Sequence, residues 1–392
     1  MTARLLIRSG TLVAPGEMQR LDLEAAGSQI VAIGPGLTET GATVLDAAGL
    51  KVLPGFIDVH VHGGGGHSFF GGDARAVRDY SEWVPRHGVT SFLVSTAGRD
   101  ADEIAGRLVG LAPGLEHDAG AEPLGFHLEG PFINPMRRGA FDAASLRAPS
   151  TGEFLRWHEA AGGRIRQMTI APELPGALEV IGSAVAEGVV PAMGHSDATV
   201  AEARVGFGAG VCHVTHLFNA MRPIHQREGG AIAAALLEPQ VSCELICDGA
   251  HVAPEMLRLA YRLLGPERAI VVTDNLPLAG TGEVSGRFAG GGIAVRGAAA
   301  VRPDGTIAGS VATMDEHFRN AMRFMEIDVV TAAKLCSANP ARLAGVAGRK
   351  GRIEPGFDAD LVLVDPGDRV VVTICRGRVA FCAEPGRLSP AR

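Results

Sequence analysis

The sequence predicts an α/β protein: a (β/α)8 barrel of the TIM type, with a small β-sandwich domain formed by both ends of the chain. Three observations lead there. The 392 residues leave room for more than the roughly 250 that one barrel takes. Eight short apolar runs alternate with alanine-rich helical stretches through the middle of the chain, the signature of βαβ units and a parallel sheet. Turn-punctuated β-type sequence fills both termini. With 46% hydrophobic and 20% charged residues, the chain can bury a large core, which excludes a disordered or fibrous protein.

The N-terminal runs RLLIRSGTLVAP, QIVAIGPG and TVLDAAGLKVLPG are each closed by glycine or proline, so they read as short strands joined by turns. The stretch GRIEPGFDADLVLVDPGDRVVVTICRGRVAF has the same character. Pairing the two gives a β-domain over 1–52 and 346–392, and the chain between them, 53–345, is the barrel. Its eight strands are expected at FIDVHVH (56–62), TSFLVST (90–96), LGFHLE (124–129), QMTIAPE (167–173), VVPAMGH (189–195), GVCHVTH (210–216), SCELICD (242–248) and AIVVTD (269–274).

Such barrels carry their chemistry at the C-terminal ends of the strands. Those ends hold His60 and His62 after the first, Glu129 after the third, His195 after the fifth, His216 after the sixth, Asp248 after the seventh and Asp274 after the eighth. One histidine or aspartate at a strand end is more simply a capping residue. Six strands converging on one mouth make a site. His60 and His62 lie two apart and share a face, so they can clasp one ion as neutral imidazoles. Glu129 sits in HLEGP, where glycine and proline turn the chain and leave the carboxylate at the rim, with two oxygens able to bridge two cations. Imidazole nitrogen with one carboxylate suits zinc, iron or manganese better than calcium, and Asp274 is the remaining carboxylate to carry a proton.

Net charge is -7, from 36 Lys and Arg against 43 Asp and Glu, so no basic field exists to hold a nucleic acid or an anionic membrane. Six cysteines lack zinc-type spacing, the first residues, MTARLLIRSG, do not read as a signal peptide, and no charge-free apolar stretch approaches a membrane span. A reduced, cytoplasmic protein is expected.

LPGFIDVHVHG, HLEGPFINP, GHSDAT, THLFNAM, DGAHV, VTDN and GTIAGSVATM, in that order, resemble the amidohydrolase superfamily, and within it the branch that deacetylates 6-phosphorylated N-acetyl amino sugars. The resemblance covers essentially the whole chain. It implies that Glu129, His195 and His216 hold the principal divalent metal and His60 and His62 a second, with zinc or iron, and manganese as a third choice. It also implies that Asp274 is the general base and acid. Substrate contacts carry over to Ala140, Asn219, Ala220, Arg227, Asp248, His251, Ile307, Ala308 and Gly309. Arg227 suits a phosphate because its planar fork donates bidentately; in the family it reaches across a dimer interface, so the resemblance implies a homodimer. Taken alone, an arginine beside Glu228 reads as a solvated loop residue.

The chain departs from the family pattern twice. Phe141 follows Gly139 and Ala140 where single-metal relatives carry a histidine thought to help polarise the substrate carbonyl, and Asn275 follows the catalytic-type aspartate where relatives often have a small residue. The only lysines are Lys51, Lys334 and Lys350, none at a barrel-strand end, which leaves Glu129 as the bridging group and disfavours the hydantoinase and dihydroorotase types. His127 and His213 read as satisfied residues inside strands, and His87, His117, His158, His225 and His317 as surface residues. The expected reaction is hydrolysis of the acetamide of N-acetylglucosamine 6-phosphate to glucosamine 6-phosphate and acetate. The alternatives are the galacto epimer as substrate, a deaminase or cyclic-amide hydrolase on the same barrel, and a metal-free barrel acting as a scaffold.

Overall fold

The computed structural model describes residues 3–14, 17–288 and 291–390. Eight parallel strands form one sheet in strict chain order: Phe56–Asp58, Val89–Thr96, Glu122–Glu129, Ile165–Ile170, Val190–Met193, His213–Val214, Ser242–Ile246 and Ala269–Val272. The first and eighth meet just beyond their ends, where the Asp274 N–H donates to His60 O and the His62 N–H to Asn275 O, both at 2.9 Å. That closes the barrel. Helices between the strands bury their apolar stripes on its outside, with Val77, Leu108, Trp157, Ile181 and Leu257 joining one continuous core. Gly194 shows how tightly the interior is packed: a Cβ there would lie 2.7 Å from the Thr169 side chain and 2.9 Å from that of Thr215, so only glycine lets the fifth strand pass.

Every sequence-expected barrel strand is present, but most end earlier than the apolar runs suggest. His60, His195, His216, Asp248 and Asp274 each lie two residues past the last strand residue. The reason lies in the backbone: His195, His216 and Asp274 have φ of 49°, 28° and 50°, a left-handed conformation that cannot continue a ladder. For non-glycine residues it costs about 1–3 kcal/mol each, and such outliers cluster at functional sites.

Strands from both chain ends share a nine-stranded mixed sheet. Arg4–Ala14 lies between Glu17–Ala26 and Lys51–Pro54, and Lys51–Pro54 pairs with Leu361–Val364 from the returning chain. Two elements were not expected from the sequence: a short two-stranded antiparallel pair, Gly63–Gly64 with His67–Ser68, and a four-stranded antiparallel sheet, Ser285–Phe288, Gly291–Arg296, Ala299–Val301 and Ile307–Ser310, inserted after the eighth barrel strand. The last strand of the four-stranded sheet brings Ile307, Ala308 and Gly309 to the barrel mouth.

Lys350, on the return to the terminal sheet, is buried among carboxylates. It pairs with Glu122 at 2.7 Å, Asp358 at 3.0 Å, and Asp360. Glu122 opens the third barrel strand, so this cluster ties barrel to sheet. Burial alone would raise the Glu122 pKa, but Arg349 and Lys350 outweigh it and hold the carboxyl at about 2. A carboxyl depressed on folding contributes stability above its unfolded pKa, and that contribution fades as pH falls from about 4.5 toward 2. Lys350→Met leaves the three carboxylates without their buried cation and should cost about 3–5 kcal/mol in urea unfolding at neutral pH. The deficit should shrink on acidification; a deficit under 1 kcal/mol at pH 7 would show that Arg349 alone balances the cluster.

Candidate active site at the barrel mouth

The end of the barrel that carries these strand termini opens into a cavity of about 600 Å³, in the range of small-molecule sites. His62, Glu129, His195, His216 and Asp274 line it, together with Ala140, Asn219, Ala220, His251, Ile307, Ala308 and Gly309. Thus twelve of the fifteen sequence-expected site residues face one space. His60 lies beneath, with no exposed surface. Asp248 stands behind His251: its Oδ2 is 2.6 Å from His251 Nδ1, and its Oδ1 accepts the N–H groups of Ala250 and His251. Asp248 therefore orients His251 instead of lining the cavity. Arg227 is exposed outside it, and its guanidinium has no partner among the described residues.

Two groups of donor atoms meet on Glu129. His195 Nε2 and His216 Nε2 lie 3.2 and 3.0 Å from Glu129 Oε1 and 3.2 Å from each other. On the other side His62 Nε2 is 3.1 Å from Glu129 Oε2, while His60 Nε2 and His62 Nε2 are each 3.4 Å from Asp274 Oδ1. A tetrahedral cation with bonds of roughly 2.0–2.1 Å has a ligand–ligand edge of about 3.3 Å. The observed spacings match that edge. His60 Nε2 is buried with no hydrogen-bond partner, and His195 Nε2 and His216 Nε2 both face Glu129 Oε1, which only accepts, so protonating both to meet it would set two N–H groups against each other. The residues present fit one or two divalent ions, with Glu129 shared between them.

Electrostatics agree with that arrangement. Burial would pull His62 down, but Asp274 and Glu129 prevail and raise its pKa to about 9; His60 is raised well above its usual value, against burial, by Glu244, Asp274 and Glu129. Asp274 and Glu129 are held below the usual carboxylate range despite burial, with His60 the largest opposing influence on each. Histidines pushed up and carboxylates pushed down thus stand in contact around Glu129.

The polar groups continue down the barrel, where ordinary barrels stack branched aliphatics. His127 bridges Ser95 Oγ at 3.0 Å and Thr169 Oγ1 at 2.8 Å, and His213 contacts Glu244 and Ser242; both are the satisfied strand residues expected. Sequence reasoning missed Glu244 and Asp58. Glu244 touches His60, Gln167, His213 and the His216 N–H. Asp58 accepts from Thr273 Oγ1 at 2.6 Å, and burial drives its pKa up to about 7. The available signal was a carboxylate inside an otherwise apolar run, in SCELIC and GFIDV. His317, expected at the surface, is buried: its Nδ1 accepts the Cys247 N–H at 3.0 Å, which pins the helix Met314–Met325 to the seventh strand end. Phe141 packs edge-on against the His195 ring at 5.1 Å.

This barrel, with histidines and carboxylates gathered at its mouth, is the architecture of a metal-dependent hydrolase, and the chain belongs to the amidohydrolase family, whose profile matches residues 51–380. Within that family it is similar to N-acetylglucosamine-6-phosphate deacetylases. The Bacillus subtilis enzyme of that name is 38% identical over 337 residues, covering 85% of each chain. A crystal structure of an aspartate-to-alanine mutant of the Mycobacterium smegmatis deacetylase, in complex with N-acetyl-D-glucosamine-6-phosphate, superposes with a TM-score of 0.91 at 33% identity, over 97% of this chain and all of that one. An Escherichia coli O157:H7 N-acetylgalactosamine-6-phosphate deacetylase is 30% identical over 94% of this chain and 97% of its own. Among the described residues no helix is long and apolar enough to cross a membrane.

Proposed function

We propose that the chain is a metal-dependent deacetylase that hydrolyses the acetamide of N-acetylglucosamine 6-phosphate to glucosamine 6-phosphate and acetate, in amino-sugar catabolism or recycling. The observation that carries this reading is Glu129 standing between two donor groups in a cavity that also holds Asp274. A divalent cation supplies hydroxide at neutral pH and a Lewis acid for the carbonyl oxygen. Zinc or iron suits the nitrogen-rich donor set best, with manganese a third candidate.

The chain's own residues do the rest. Asp274, ionised beside His60 and His62, accepts the proton of the attacking water and returns it to the leaving nitrogen, without which the amine would leave very poorly. His251, braced by Asp248, and the turn at Asn219 and Ala220 supply polar groups to the sugar phosphate, while Ala140 and Ile307 to Gly309 close the cavity around it. The Phe141 side chain offers no hydrogen-bonding group, so it does not polarise the carbonyl. Arg227 lies outside its own chain's cavity, and we assign it to the phosphate of a neighbouring subunit's substrate in a homodimer. The cysteines of the described residues are all unpaired, in keeping with a cytoplasmic enzyme.

The Escherichia coli relative makes the galacto epimer the competing substrate. Acetate release from the two sugar phosphates, followed beside metal analysis, tests both; release from neither by metal-loaded protein would remove the deacetylase reading and leave the scaffold alternative. Metal-supplemented protein should hold more than one equivalent and up to two, falling to one in His60→Ala/His62→Ala. A stoichiometry that never exceeds one, unchanged by that double substitution, would show that the pair is not a working site. Because His62 titrates at about 9 in the metal-free site, loading at pH 7 displaces its proton. Calorimetry in buffers of different ionisation enthalpy should register proton release, and a chelator should strip the ion more readily at pH 6 than at pH 8.

A further inference from the structure

Glu244 projects from the seventh barrel strand toward the barrel axis and has no exposed surface. A lone carboxylate there would be strongly destabilising, so its partners define its role. Oε1 accepts from Gln167 Nε2 at 2.8 Å and from His213 Nε2 at 3.1 Å. Oε2 accepts from His60 Nδ1 at 2.8 Å and from the His216 N–H at 2.9 Å. Those contacts fill the four lone-pair positions of an ionised carboxylate. Two of them run to residues of different donor groups, since His60 belongs with His62 and Asp274, and His216 with Glu129 and His195.

We propose that Glu244 is the positioning residue shared by both metal groups: it fixes the ring orientation and tautomer of His60, and it holds the His216 main chain in the turn that aims its imidazole at Glu129. The inference rests on the metal-dependent reading above and concerns the protein before any substrate arrives. A carboxylate oxygen only accepts, so the His60 nitrogen facing it carries a proton. Nε2 is then the ligating atom, and Nε2 is the buried nitrogen left without a hydrogen-bond partner. His216 sits at φ 28°, and its N–H, which makes no ladder bond, ends on Glu244 instead. One carboxylate on the seventh strand thus sets ligands that arrive from the first and sixth, 184 and 28 residues away in sequence. Partners of this kind typically change metal affinity by about 10- to 100-fold when removed.

The test compares Glu244→Met with Glu244→Gln, using zinc affinity by chelator competition as the readout. The amide can keep its oxygen toward His60 and His216 by turning its nitrogen toward Gln167 and His213, whose own amide and tautomer can adapt. Glu244→Gln should therefore retain zinc affinity within about tenfold, whereas Glu244→Met should lose about 10- to 100-fold at the group containing His60. A residue that only fills the core would lower the unfolding midpoint of the metal-free protein and leave zinc affinity unchanged; that outcome overturns the proposal. If the methionine variant does not fold, histidine-15N spectra of zinc-loaded wild-type protein decide. His60, assigned by its loss in His60→Ala, should show a protonated Nδ1 and a metal-shifted Nε2, and ligation through Nδ1 would overturn the proposal. Wild-type protein that binds no zinc refutes the metal-dependent reading itself, and is recognised as such without either variant.

Discussion

Asp274→Asn protein should hold metal, bind the sugar phosphate and turn over at least about 10^4-fold more slowly than wild type. The amide keeps the size of the side chain and an oxygen toward His60 and His62, but it neither accepts the proton of the attacking water nor delivers one to the leaving nitrogen. General acid–base catalysis contributes about 10^2- to 10^4-fold, and one residue that serves both half-steps belongs at the upper end or beyond. Asp274 Oδ1 also belongs to the donor group of His60 and His62, so metal content has to be measured beside kcat. Loss of turnover with metal retained assigns the loss to proton transfer; loss of both assigns it to the ligand role. Turnover within tenfold of wild type places proton transfer elsewhere. His127→Gln, which disturbs a satisfied contact between Ser95 and Thr169, should show no comparable loss.

The barrel was legible because burial between helices and barrel interior writes each strand as an apolar run, a signal local to four to eight residues. Strand ends were less so. His195, His216 and Asp274 leave the ladder through a left-handed backbone, and nothing in a histidine or an aspartate announces that conformation. The four-stranded insertion escaped for a related reason: its strands are short, three of the four contain glycine, and residues such as Arg287, Gly292 and Ala294 face solvent, so the apolar signal is confined to the few residues around Ala299–Val301. Within the site, ligand-type residues could be read from position alone, since the rule for barrel mouths needs only the strand count. Glu244 and Asp58 could not, because what makes a buried carboxylate tolerable is its partners, and those come from other strands. His317 failed in the opposite direction: its helical pattern suggested a surface, while its ring accepts an N–H from the seventh strand end.

Arg227 separates phosphate recognition from catalysis and also tests the assembly. If its guanidinium grips the 6-phosphate, Arg227→Ala should damage hydrolysis of the phosphorylated sugar far more than that of the unphosphorylated one. A hydrogen bond to a charged group contributes about 1.5–3 kcal/mol, and two to one phosphate approach a hundredfold or more in kcat/KM, at roughly 1.4 kcal/mol per decade. Within its own chain the arginine is exposed and does not line the cavity, in keeping with the proposal that a second subunit presents it. Mixing Asp274→Asn chains with Arg227→Ala chains should then create heterodimers in which one of the two sites joins an intact Asp274 to a partner's intact arginine. Activity should recover toward half of wild type per such dimer, with the recovery confined to the phosphorylated substrate. If subunit exchange is demonstrated and no activity returns, Arg227 acts within its own chain or takes no part, and phosphate binding falls to His251 and the Asn219 turn.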